Sequence, residues 1–249
     1  GHIMQLVESG IKKIFYPCIP FNLKDGNHQN DNHFNCPIVA SYPENIRSNM
    51  DILKAEGVKF LQPFLPINNR KKLLKRFMQE MKDELLPRGL VKKAINAAYA
   101  ELDNYKKDVN NFAQNIIKKA RLNNKHMILL AGRPYHIDPE INHGIADMIE
   151  SYDLPVISED AVYDEDLKEQ KIGLVNQWNY HARLYHAAQY VAEHNDCTLI
   201  QLSSFGCGLD AITTDQVKEI LEEHNRIYTL IKLDEVSNLG AARIRLRSL

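Results

Sequence analysis

The chain has one tryptophan, four cysteines, and no apolar run near the roughly 20 residues that a membrane-spanning helix needs. Its charges nearly cancel: 31 basic and 32 acidic residues give a formal net charge of -1. With no global positive field to gather phosphate backbones, nucleic acid is not an expected partner. The four cysteines, Cys18, Cys36, Cys197 and Cys207, are too few and too scattered for a disulfide framework, so where they matter they matter as thiolates. Residues 1–17 lack the basic start, apolar stretch and small-residue cleavage site of a secretory signal. A cytoplasmic protein without membrane contact is expected. No G-x-x-x-x-G-K-[ST] occurs, so the chain is not a P-loop ATPase, and it contains no internal repeat or low-complexity segment.

What is present is globular. At 249 residues, 44% hydrophobic and 25% charged, the chain has the size of two ordinary α/β domains or one large one. Ile3, Leu6 and Val7 share a helical face ahead of a strand-like run at Ile11–Tyr16, and this pattern reads as native helix rather than a cloning remnant. An α/β domain cut short at its N-terminus is the expectation for 1–68. Asn22–Asn35 reads as an exposed loop, and Asn35-Cys36-Pro37 as a helix start with Asn35 as N-cap. A second strand is expected from Val58 to Leu65. Helices at 69–86 and about 90–120 then form a connector over 69–122. The second of these repeats apolar residues at alternating steps of four and three from Val91 to Ile116, and a packed helix is favoured over a coiled-coil arm.

From His126 strands and helices alternate, with strands at 127–131, 154–158, 198–202 and 227–231 and helices at 141–150, 176–193 and 213–224. Thr213 with Gln216 suggests a capping box for the last helix. Such alternation predicts a doubly wound parallel sheet over 123–234, followed by a C-terminal tail at 235–249.

In sheets of this kind ligands bind outside the carboxyl ends of the strands. Three exits are unusual: Tyr16-Pro17-Cys18, Gly132-Arg133-Pro134-Tyr135-His136, and Ser203-Ser204-Phe205-Gly206-Cys207-Gly208. Gly206 and Gly208 let the backbone turn sharply around Cys207. Cys36, at a helix start, has a thiolate favoured by the positive end of the helix dipole. Cys197 begins the strand that Cys207 follows, so the two lie roughly 20 Å or more apart and cannot share a metal centre. On spacing alone the other three thiols read as small buried hydrophobes, because no compact ligand pattern is present. Most of the histidines read as surface or hydrogen-bonded residues. His136, at a strand exit, is the candidate acid–base group.

The segments Phe15-Tyr16-Pro17-Cys18, Asn35-Cys36-Pro37-Ile38-Val39, Leu130 to Pro139 with Ile141-Asn142-His143-Gly144, Ser204 to Asp210 with Thr213 to Val217, and Asn238 to Arg245 resemble the 2-hydroxyacyl-CoA dehydratase-like region of acyl-CoA dehydratase activase-related proteins. The resemblance implies a four-iron, four-sulfur cluster held by Cys18, Cys36 and Cys207, with a further cysteine in a Cys-Tyr-Pro segment upstream. It implies an ATP-dependent activator domain as electron donor, one-electron reduction and dehydration of an acyl-CoA thioester, and little activity for the isolated fragment. Two alternatives stand beside it: a non-catalytic electron-transfer or cluster-carrier module, and a metal-free helical scaffold.

Overall fold

The computed structural model describes residues 1–24, 31–163, 167, 172–204, 206–233 and 240–247. Part of the Asn22–Asn35 loop, Phe205 and the Asn238-Leu239 pair lie outside the described residues. Two compact units result, one from the described residues of 1–25 and 32–102, the other from those of 26–31 and 103–249.

The first unit is built on two short parallel strands. Helix α1 (His2–Glu8) leads into β1 (Lys13–Phe15), and α2 (Pro37–Asn49) and α3 (Asp51–Ala55) lead into β2 (Lys59–Leu61). Strands β1 and β2 pair in parallel with Ile14 opposite Phe60. One face packs Ile14 and Phe60 against Val7, Ile46 and Leu53 from the three helices. On the other face α4 (Arg70–Glu80) brings Phe77 edge-on to Phe15, with ring centroids 6.0 Å apart. A 3₁₀ turn at Lys82–Glu84 follows, and Glu84 accepts from Lys13 at 2.6 Å and Lys59 at 2.7 Å. The helical residues at the N-terminus are therefore packed on the strand that follows them, as their pattern predicts.

Helix α5 (Arg88–Leu122) is continuous for 35 residues, starting just after Pro87. Its first half puts Tyr99 beside Leu65 and Leu73 in the first unit, and its second half puts Ala113, Ile117 and Ala120 into the core of the second.

The second unit is the doubly wound sheet. Strands β3 (Met127–Ala131), β4 (Val156–Ser158), β5 (Cys197–Ser204) and β6 (Thr229–Leu233) are all parallel, in the order β4-β3-β5-β6. Alternate residues of β3 explain the two layers. Met127, Leu129 and Ala131 face α5, α8 (Asn179–Glu193) and α9 (Gly208–Glu223). Ile128 faces the opposite layer, α7 (Ile145–Glu150) and α10 (Gly240–Arg247). A short α6 (Pro139–Asn142) precedes α7. Every residue of β3 except Leu130 is at most 2% exposed, which is why this strand is a continuous apolar run. Each large side chain so buried contributes about 1.5–3 kcal/mol.

Three local expectations are corrected. Cys36, not Asn35, is the N-cap of α2. Asn35 instead turns back, its Nδ2 donating to Ile19 O at 2.8 Å. Helix α9 begins at Gly208, so Thr213 is interior to it and its hydroxyl donates to Leu209 O at 2.9 Å rather than forming a capping box. The single helix expected at 141–150 is split because His143 and Gly144 take positive φ, 55° and 72°.

Candidate functional site

The order β4-β3-β5-β6 has a topological switch point between β3 and β5. The chain leaves β3 towards β4 on one side and returns to β5 on the other, and in sheets of this kind the carboxyl ends at such a point are where ligands bind. The loops concerned are Gly132–His136 and Ser204–Gly208, and a buried polar network ties them together.

Arg133 is its hub. Its Nε donates to Asp210 Oδ1 at 2.9 Å and its Nη2 donates to the same oxygen, with the two side chains only 6% and 4% exposed. Nη2 also lies 2.7 Å from His181 Nε2 and 3.5 Å from Cys207 Sγ. Asp210, in the first turn of α9, accepts in addition from Ser203 Oγ at 3.3 Å. A buried charge pair persists only when hydrogen bonds satisfy it in this way.

The tautomers follow from the partners. A guanidinium only donates, so His181 Nε2 accepts and the ring proton sits on Nδ1, which has no acceptor among the described residues. Burial, then the Arg133 charge, pushes the His181 pKa down to about 3. His136 Nδ1 accepts the Arg133 backbone N–H at 2.9 Å, leaving Nε2–H to donate to Ser204 Oγ at 2.9 Å. Burial pushes its pKa down to about 4. Tyr135 Oη donates to the same Ser204 oxygen at 3.3 Å. Both Ser204 lone pairs are thus engaged, and among the described residues its hydroxyl proton has no acceptor.

Gly132 makes this arrangement possible. A Cβ there would sit 2.6 Å from His136 Nδ1, well inside contact distance. Beyond it, at the end of β4, Glu159 is 4% exposed and its carboxyl is pushed up to about 8, by burial first and the Asp160 charge second, against hydrogen bonds from the Glu159 and Gly132 backbone. The site therefore holds neutral histidines and a protonated acid around one ion pair. Asn179, fully buried on the first turn of α8, has neither end of its amide partnered among the described residues.

Cys207 is the N-cap of α9, half-buried, after Gly206 with φ 85°. Cys197 is fully buried at the start of β5, with its thiol pushed up to about 12 by burial and the Asp196 charge. In the first unit Cys36 caps α2 and is half-buried. Cys18 is fully buried, bridges to Phe64, and has its thiol raised by burial and the Glu44 charge. Among the described residues no three or more His, Cys, Asp or Glu side chains gather as a metal site.

Arg133, Asp210, His181, Ser204 and Glu159 carry the network, yet sequence reasoning gave them no role. A signal existed for two of them: an arginine at a glycine-led strand exit and an aspartate in the first turn after a glycine-flanked cysteine.

Fold and polar network together define a doubly wound α/β protein with a polar site at its switch point. The family is more particular: residues 1–162 match the CoA enzyme activase uncharacterised domain, and the chain belongs to that family. No curated protein and no solved structure matches it. Among the described residues, no helix is long and apolar enough to cross a membrane.

Proposed function

We propose that this member of the CoA enzyme activase family is its cytoplasmic, dehydratase-like, cysteine-bearing part, in which Cys36, Cys207 and Cys18 serve as thiolate ligands of a four-iron, four-sulfur cluster. The observation that carries this reading is the setting of Cys207. Its sulfur lies at a helix N-terminus, between two glycines, and within 3.5 Å of a buried guanidinium nitrogen. In a ligated thiolate a charged donor on the sulfur raises the reduction potential. Cys36 shares the N-cap position and the partial exposure. Cys18 fits once metal displaces its proton, because burial otherwise keeps it neutral.

When bound, the cluster would supply one-electron chemistry to an acyl-CoA thioester, with an ATP-dependent activator domain as donor. The chain's own residues shape the switch point: Arg133 positions Cys207, and His136 orients Ser204 so that its proton meets a ligand oxygen. The test is anaerobic reconstitution with iron and sulfide of the chain extended upstream through the Cys-Tyr-Pro segment. Iron and sulfide bind with a visible charge-transfer band, Cys207→Ser loses most of that iron, and Cys197→Ser keeps it. An extended chain that takes up no iron, or a Cys197 variant as defective as the Cys207 variant, refutes the reading.

A further inference from the structure

Among the described residues strand β2 has a partner on one side only. Lys59 N–H donates to Lys12 O and Leu61 O accepts from Tyr16 N–H, both at 2.8 Å, so the odd-numbered residues turn their peptide groups to β1. Phe60 therefore turns its own N–H and C=O to the opposite edge. That edge opens into a groove of about 630 Å³. Residues 58–64 floor it, Arg47, Leu53 and Lys54 wall it from the α2–α3 side, and Arg76 and Glu80 wall it from α4. The helices on those two sides cover opposite faces of the sheet. A slot between two helical layers along a free strand edge, roughly 20 Å long at about 3.3 Å per residue, has the shape of one further strand.

The edge is guarded. With its amide oriented so that both ends are satisfied, Gln62 donates Nε2–H back to Phe60 O at 3.0 Å and accepts from Arg47 Nε at 3.1 Å and from Nη1. This clasp occupies the carbonyl that an added strand would use, a common way to keep an edge from pairing indiscriminately. The charge of the slot selects the occupant. Four cations, Arg47, Lys54, Lys59 and Arg76, face two carboxylates, Glu44 and Glu80. Lys59 is held by Glu84 at 2.7 Å and Arg76 by Glu80 at 2.8 Å, whereas Arg47 and Lys54 have no carboxylate partner among the described residues. Pairing with a second copy would set these cations against themselves.

We infer that the free edge of β2 is a docking slot for an extended, acidic segment of a partner protein, which adds to the sheet as a third strand. The probe is a blocked hexapeptide alternating glutamate and valine, with its lysine–valine counterpart as control, titrated into the 249-residue chain. Fluorescence anisotropy gives affinity, and amide NMR shifts give position. The acidic peptide binds and shifts the Phe60 and Gln62 amides, and the basic one does not. Gln62→Ala, which frees the edge carbonyl, tightens binding several-fold, and Lys54→Glu weakens it about tenfold. Equal affinity for the two peptides, or shifts confined to other residues, overturns the inference. So does a self-dimer in sedimentation that Lys54→Glu strengthens, which would assign the edge to a second copy.

Discussion

Removing the Asp210 carboxylate isolates the Arg133 guanidinium in a setting where the two side chains are only 6% and 4% exposed. Truncating one partner of such a pair costs about 3–5 kcal/mol, because the remaining charge stays buried without its counterion. For a unit of this size each kcal/mol lowers Tm by about 2–4 °C, so Asp210→Ala is expected to lower the transition by roughly 6 to 20 °C. Removing both charges behaves differently. Arg133→Met with Asp210→Leu replaces the pair by apolar groups of similar length, and most of the loss is recovered. The chain reports on this unit selectively, because its only tryptophan, Trp178, caps α8 with its ring centroid 6.4 Å from that of His181. Urea unfolding followed by tryptophan fluorescence therefore yields the full double-mutant cycle. An Asp210→Ala loss below about 1 kcal/mol, or a double variant that loses the sum of the single losses, would refute the claim that the two loops are held by a desolvated ion pair.

Glu159 sets a slope on the alkaline side. Its pKa rises from 4.5 to about 8 on folding, so its contribution is complete below about 4.5 and is lost as pH rises through about 8. Glu159→Gln should flatten the fall in stability between pH 5 and 8 seen in urea titrations, and an unchanged slope would contradict the assignment. His136 and His181 act in the opposite sense. They are held neutral, so their contribution is present above 6.5 and is lost as pH falls through about 4 and about 3, a limb that a His136→Asn, His181→Asn chain should lack in acid unfolding. Gly132→Ala drives a methyl to 2.6 Å from His136 Nδ1, displaces the ring from Arg133 N–H and Ser204, and costs about 1–3 kcal/mol. Nitrogen chemical shifts of His136 should show its pKa moving back up towards 6.5, and a ring that keeps its low value would show that the loop absorbs the methyl. Leu129→Ala, at a fully buried position in β3, should cost about 2–5 kcal/mol in the same denaturation assay.

The strands and helices of the second unit were legible because burial on one or both faces imposes a period, as in Met127–Ala131. Caps were less so. Asn35 had a local use as an N-cap and a distant one at Ile19 O, 16 positions back, and only the folded chain decides between them. The strand exits were visible as glycine-rich interruptions, so the site could be located. Its wiring could not: Arg133 meets Asp210 across 77 positions and His181 across 48, separations over which composition and periodicity carry no information. His181 in particular looked like any histidine on an amphipathic helix.

The distribution of thiol burial turns the four cysteines into clocks. Cys36 and Cys207 are half-buried and meet an alkylating reagent in the native state. Cys18 and Cys197 are fully buried with thiols raised by burial, so each reacts only when its surroundings open. One lies in each compact unit. The two slow alkylation rates, resolved by mass spectrometry in a single reaction, therefore time the opening of each half separately, without a label or a mutation.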